Sequence, residues 1–341
     1  MISRRPTSID IAAEAGVSQS TVSRVLNRSA LVSDEVRQKV LSAAARLNYK
    51  VDTNARRLRS SKVYSIALLI LEDMQSDHSA VNPFFLPMIG AIVKRAAELH
   101  YEVLISLQYD ENDWGASYCL SRPAEGIIFL GSKDFDTYAE NFRSHNHSDD
   151  NWVVWGLNET KTDKSCVVCD NRGGAVSAVR HLIEGGRRRI AFIGRVHSTH
   201  WEFAERLQGY HDGLAEAGLA VDPALVIDCE LTLEDGAAAA QKLIASGATF
   251  DAIFASTDTL GVGAMRELLA RGYAIPGDVA LVGFDDMWIC NIVWPRLTSV
   301  RQNTQLAGQI LVDRVCALIE GEAPSHTRLP TELIVRESSS A

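Results

Sequence analysis

Apolar positions in the first fifty residues recur three and four apart, the spacing that places side chains on one face of a helix. Thr7 and, three residues on, Asp10 form a capping box, and Ile9, Ile11, Ala12 and Ala15 supply the apolar stripe of a short helix that Gly16 ends. Ser18 is the natural N-cap of a second helix running to about Asn27, with Val22, Val25 and Leu26 turned inward. A third starts at Ser33, has Asp34 and Glu35 in its first turn where they complement the helix dipole, and buries Val36, Val40, Ala44 and Leu47. Two short helices joined by a glycine turn and braced by a third make a helix-turn-helix.

Beyond residue 63 the period changes. Apolar, β-branched runs at 64–71, 101–107 and 126–130 read as strands, with a helix at 83–100 between the first two. The second half repeats the cycle: helices at 174–184, 202–217, 234–246 and 260–271 alternate with strands at 189–193, 225–229, 252–255 and 279–284. Strands separated by helices predict parallel sheets with crossover helices. About 270 residues exceed one doubly wound sheet, so two similar α/β lobes are the simplest partition.

Charge sharpens the division. The chain of 341 residues has a formal net charge of -9, which taken whole argues against a nucleic-acid partner. Residues 1–62, however, hold twelve Lys and Arg against five Asp and Glu, a net of +7, and the remaining 279 hold 22 against 38, a net of -16. A basic head on an acidic body is the asymmetry of a nucleic-acid-binding domain joined to something else. The longest apolar run, around 63–71, is about half the roughly 20 residues a membrane span needs. Asp10 and Glu14 stand where the apolar core of an export signal would lie, so a cytoplasmic protein is expected.

Six cysteines are spread too thinly for a disulfide scaffold, and only Cys166 and Cys169 form a C-x-x-C. Without a second pair or a nearby His, Cys166-Val-Val-Cys169 reads as a buried strand and no metal site is expected. His145 and His147 beside Asp149 and Asp150 sit among Ser, Asn and Asp and read as a solvated loop.

The N-terminal residues of the second helix of a helix-turn-helix reach base edges in the major groove. Gln19 and Ser20 are therefore the expected readers and Arg24 a further base or phosphate contact. Ser18, Thr21, Ser23 and Asn27 would hold phosphates and fix the register. The ordered stretch Ile9-Asp10-Ile11-Ala12-Ala13-Glu14-Ala15-Gly16-Val17-Ser18, then Thr21-Val22-Ser23-Arg24-Val25-Leu26-Asn27, then Leu47-Asn48-Tyr49, closely resembles the DNA-binding domain of the lactose-repressor family of bacterial transcription regulators.

The resemblance implies a role at DNA for Tyr49 and, in Asn54-Ala55-Arg56-Arg57-Leu58-Arg59, a hinge helix that brings Asn54, Arg57 and Leu58 to the operator. Leu58 matches the leucine that wedges into the minor groove, kinking the duplex. Val51-Asp52 stands where the family has Pro-Asn. The implied organisation is a DNA-binding domain over 1–50, a hinge over 51–62, and an effector-binding and dimerisation domain over 63–341 with a two-lobed type I periplasmic-binding fold. The chain would cross between lobes near Asp170, Val300 and Leu329. One lobe then takes about 63–170 and 300–328, the other about 171–299 and 329–341.

Ligands of open parallel sheets sit at the carboxyl ends of strands, here the cleft between lobes. Asp285 follows the strand 280–284, and its carboxylate could accept two hydroxyls of a polyol. Arg206, before Gln208-Gly209-Tyr210, matches the family's ligand-binding arginine. Phe84 and Phe85, Trp201 and Trp294 are aromatic candidates for stacking on a sugar face. Asp258 is expected to cap its helix, and Thr257 stands where relatives often place a ligand-touching asparagine.

No G-x-S-x-G, P-loop or H-E-x-x-H occurs, and Gly261-Val262-Gly263 lacks the third glycine and the strand-to-helix position of a dinucleotide site. The expectation is a sequence-specific repressor, not an enzyme, with no cofactor. Its partners are operator DNA, a small-molecule effector, most naturally a sugar, and a second copy of itself. The family's tetramers carry a heptad tail, and the five residues after Arg336 leave no room for one, so a homodimer is expected. The competing class is a sugar-binding module of a transport or sensing system, which the basic head opposes.

Overall fold

The computed structural model describes residues 6–26, 32–47, 49, 64–71, 81–108, 124–131, 151–159, 162–197 and 200–340. It divides into two units, Met1–Val63 and Tyr64–Ala341.

In the first unit α1 (Ser8–Ala15), α2 (Gln19–Leu26) and α3 (Asp34–Arg46) close on a core of Ile11, Val22, Val25, Val40, Ala43 and Ala44. The capping box is formed: the Thr7 amide donates to Asp10 Oδ2 at 2.7 Å, and the Asp10 amide reaches Thr7 Oγ1 at 3.4 Å. Gly16 stops α1 at φ 65°, a left-handed conformation glycine adopts without steric cost. Ile9 departs from the expected stripe and is 60% exposed, because Ile11 and Ala12 already occupy the inward side of so short a helix.

The second unit holds two six-stranded sheets. The first is ordered β11-β5-β4-β3-β1-β2, from β1 (Ser65–Leu71), β2 (Glu102–Gln108), β3 (Gly126–Gly131), β4 (Trp152–Trp155), β5 (Ser165–Cys169) and β11 (His326–Leu329). The second is ordered β12-β10-β9-β8-β6-β7, from β6 (Ile190–Gly194), β7 (Val226–Asp228), β8 (Ala252–Ala255), β9 (Ala280–Asp285), β10 (Thr298–Gln302) and β12 (Thr331–Ile334). All pairings are parallel except β10 with β12. Every residue of β1 is buried, as a strand covered on both faces requires, and Leu68 lies between Ile105 and Ile128 on its neighbours.

Helices α4 (Leu86–Glu98) and α9 (Thr304–Ile319) cover one face of the first sheet through Met88, Ile92, Leu311 and Val315. On the second sheet α5 (Asn171–Glu184) packs with α6 (Trp201–Glu216), and α7 (Leu233–Ala245) with α8 (Asp258–Ala270). Gly263 lies inside α8, where a Cβ would stand 2.1 Å from the Leu233 carbonyl oxygen; close helix packing is what this glycine serves.

The chain passes between lobes at Asp170, Asn303 and Pro330. The second passage falls beyond the expected Val300, because Val300 pairs with Phe284 and Leu333 inside the second sheet. The Asp170 amide donates to Leu329 O at 2.9 Å, tying the first passage to the third. Cys166-Val-Val-Cys169 is the buried core of β5, and an offset of three sends its two thiols to opposite faces of the sheet. Burial pushes both thiols up to about 12. Among the described residues no helix is long and apolar enough to cross a membrane.

Candidate functional sites

In the first unit the start of α2 presents a polar surface. Ser18 caps the helix, its Oγ accepting from the Thr21 amide at 3.1 Å. The same oxygen lies 2.8 Å from both Ser20 Oγ and Thr21 Oγ1, and Gln19 Nε2 donates to Ser8 Oγ at 3.0 Å. Ser18, Gln19, Ser20 and Arg24 are exposed, while Thr21 and Ser23 are half-buried. A helix N-terminus rimmed by hydroxyls and an amide can meet phosphate oxygens and base edges together. Tyr49 packs against the three-helix core, its amide donating to Ala44 O at 2.9 Å. Asn27, Asn54, Arg57 and Leu58 lie outside the described residues, as do Val51 and Asp52.

In the second unit a cleft opens at the carboxyl ends of the strands, with walls from both lobes. Asn82 Oδ1 accepts from the Phe84 amide at 3.0 Å and caps a short 3-10 turn, Pro83–Phe85, that delivers Phe84 and Phe85 to the lining. Phe84 meets Phe85 nearly edge-on at 5.2 Å between ring centroids and lies 6.4 Å from Trp155. Trp155 ends β4 and Gln302 ends β10.

Arg206 is buried on α6 and held from every side. Nε donates to Asn171 Oδ1 at 2.9 Å, Nη1 donates to Ser256 O at 2.6 Å, and Nη1 lies 3.3 Å from Asp285 Oδ1. The guanidinium rests 3.9 Å above the Phe284 ring and 5.3 Å from Phe203, so its plane is fixed as well as its charge. Asp285 Oδ1 also accepts from Gln302 Nε2 at 2.7 Å. Burial pushes the Asp285 carboxyl above its ordinary value, against the pull of Arg206 and Gln302. The pair that sequence places at the cleft is thus a buried ion pair, and both of its members line the cleft. Glu202, one helical turn before Arg206, lines the same cleft, and burial raises its carboxyl.

Asp285 and Asp286 both have positive φ, 109° and 50°. Asp286 faces away from Arg206 and pairs with Arg301 at 2.7 Å and Arg336 at 2.6 Å. Behind them Asp258 is fully buried, accepting from Ser299 Oγ and from the Met287 amide, both at 2.6 Å. Burial, then the charge of Asp285, push the Asp258 carboxyl up to about 8.

The structure therefore brings Phe84, Phe85, Arg206, Thr257 and Asp285 to one cleft. It does not bring Trp201 or Trp294 there. Trp201 is one residue off the helical face shared by Glu202 and Arg206, and its ring faces Arg328 at 5.7 Å. Trp294 follows a 3-10 turn on the outer surface and is 74% exposed. The cap expected of Asp258 belongs instead to Thr257, whose Oγ1 accepts from the Leu260 amide at 3.3 Å. Sequence reasoning missed Trp155, Glu202, Phe203 and Gln302. The spacing of Glu202 to Arg206, four apart on one helix face, is the signal that would have found one of them.

Comparison with known proteins adds identity to this geometry. A model described as bacterial regulatory proteins, lacI family, matches residues 9–52, and one described as a periplasmic binding protein-like domain matches residues 179–339. The HTH-type transcriptional regulator CelR of Thermobifida fusca is 33% identical over 98% of both chains. The HTH-type transcriptional regulator GalR of Escherichia coli (strain K12) is 32% identical over 97% of this chain and 94% of that one. Among solved structures, a transcriptional regulator CelR–cellobiose complex aligns at 31% identity with a TM-score of 0.73, over 98% of this chain and 100% of that one. A lac repressor dimer bound to operator and the anti-inducer ONPF aligns at 25% identity with a TM-score of 0.81, over 99% and 100%.

Proposed function

The chain belongs to the lacI family of bacterial regulatory proteins, and from that premise we propose how its two units divide the work. It is a helix-turn-helix transcription regulator. The first unit lays α2 in the major groove, with Gln19, Ser20 and Arg24 at base edges or phosphates and Ser18, Thr21, Ser23 and Asn27 fixing register. Tyr49, Asn54, Arg57 and Leu58 extend the contact toward the operator centre, Leu58 as the minor-groove wedge. One such unit reads half a site, so a homodimer reads a pseudo-palindrome. The exposed aromatic surface of Trp294 suits subunit contact better than ligand contact.

The second unit binds a saccharide between its lobes and binds it without turnover, a reading supported by the similar CelR having been solved as a cellobiose complex. Effector binding shifts the balance of lobe angles by its differential affinity for the two states, and the repressor's hold on DNA with it. The protein works where its DNA is, in the cytoplasm.

The buried Arg206–Asp285 pair on the cleft wall carries this reading, because a cleft with a pre-oriented donor and acceptor at a strand end is a recognition site. Fluorescence anisotropy with DNA from upstream of the protein's own gene tests it. Binding is expected to be lost in Arg24→Ala and to change when a cognate saccharide is added. No binding by the unaltered chain, or a saccharide response that survives Arg206→Lys unchanged, overturns it.

A further inference from the structure

Among the described residues, two cavities meet at Asp285. The inner one, beside Arg206, Asn171 and Glu202, encloses about 90 Å³. The outer one, about 400 Å³, is bounded by Pro83, Pro87, Trp288, Arg301, Thr304 and Gln305. Phe84, Asp285, Met287 and Gln302 line both and form a common partition. The inner cavity alone falls short of the roughly 300–1,000 Å³ usual for a ligand site, and the outer supplies the difference.

The two are lined in the same manner. Each sets apolar faces against side-chain amides and hydroxyls: Phe84, Phe85 and Trp155 with Asn171 and Gln302 inside, Trp288 and the two prolines with Thr304 and Gln305 outside. Trp288 is 63% exposed, a large indole left beside polar groups. This is the alternation that a chain of pyranose rings presents, C–H faces flanked by hydroxyls.

The charges disfavour an anionic ligand. Arg206 is matched by Asp285 at 3.3 Å, and Arg301 by Asp286 at 2.7 Å and Glu332 at 3.3 Å. Among the described lining residues both arginines are thus already paired, and Glu202 adds a carboxyl to the inner cavity. A phosphate ester would find its cations engaged and a like charge nearby.

We propose that the effector is a neutral saccharide of at least two rings, one in the inner cavity against Arg206 and Asp285 and the next in the outer cavity against Trp288. This rests on the reading of the cleft as the effector site and narrows it. Calorimetry on the full chain with matched pairs, glucose with cellobiose and galactose with lactose, together with the 6-phosphates of the two monosaccharides, tests it. At least one disaccharide is expected to bind about tenfold or more tightly than its monosaccharide, with the phosphates no better than their parents. Trp288→Ala and Gln305→Ala are each expected to narrow that gap.

A monosaccharide that equals the best disaccharide, or a phosphate that exceeds its parent, overturns the proposal while leaving the cleft as effector site. So does Trp288→Ala if it splits the dimer in sedimentation yet preserves the preference for two rings. If no sugar of either length binds, or if binding survives Arg206→Lys unchanged, the underlying reading falls and this one with it.

Discussion

The surface proposed to read DNA in the first unit and the cleft of the second are both polar, yet they are held in opposite ways. Ser18, Gln19, Ser20 and Arg24 stand exposed on a helix whose stability comes from Val22 and Val25 on its other side. Arg206 and Asp285 are themselves interior, braced by Asn171, Ser256, Gln302 and the ring of Phe284. A surface proposed to exchange water for DNA phosphates is built from groups that cost little to leave hydrated. A cleft that must orient a small ligand is built from groups each held by several partners. Function and folding are therefore separable in the head and fused in the body.

The strongest way to break that contrast is Arg206→Ala. It leaves Asp285 buried without its cation, and removing one partner of a buried pair typically costs about 3–5 kcal/mol. Urea unfolding of the full chain should show a loss of this order in the transition of the body. A loss under about 1 kcal/mol would mean the pair is as dispensable as an exposed one.

Asp258 offers a second probe. Its carboxyl is raised in the folded chain to about 8, so the native state holds a proton that the unfolded chain has released. Stability contributed this way falls as pH rises from the ordinary carboxylate range to about 8, and levels off above it. Asp258→Asn imitates the protonated form and should flatten that slope in melting temperatures recorded from pH 5 to 9. A slope of the same size in Asp258→Asn would place its source elsewhere.

Smaller effects belong to the head. Thr7→Ala removes the capping box and should cost about 1 kcal/mol, read as faster hydrogen exchange in α1. Gln19→Ala should change stability by less than about 0.5 kcal/mol, since its only described partner is the Ser8 hydroxyl. It should nonetheless weaken specific DNA binding about tenfold, against no change for unrelated DNA. If Gln19→Ala destabilised the head as much as Thr7→Ala, the separation of function from folding there would be lost.

Much of the architecture was legible because period is a strong signal where a helix or strand has one wet face or none. The capping box, the glycine stop of α1 and the strand 252–255 were all written in local spacing. β10, α9, β11 and β12 were not, since their sheet membership depends on which lobe the chain re-enters, a long-range matter with no local period. Within the cleft, Arg206 and Asp285 were legible through the strand-end rule and the family pattern together. Trp155 was not, because an aromatic residue closing an apolar strand reads as core, and here it is both core and lining. Trp201 and Trp294 failed for the converse reason: aromatic character carries no direction. The cap fell one residue earlier than expected, on Thr257 and not Asp258, since the extended backbone at Thr257, with φ -143°, makes it the N-cap.

The paired left-handed backbone at Asp285 and Asp286 bears on how such a sensor could change its diet over generations. Aspartate tolerates positive φ better than most residues, and a bulky or β-branched replacement would be strained at either position. One carboxylate holds the arginine of the cleft while its neighbour holds Arg301 and Arg336 on the other side, so neither can be traded without disturbing the other. Innovation is thereby channelled to Glu202 and Phe84, which hang from helical backbone that accepts almost any side chain. A lineage acquiring a new sugar would repaint those walls and inherit the aspartates unaltered.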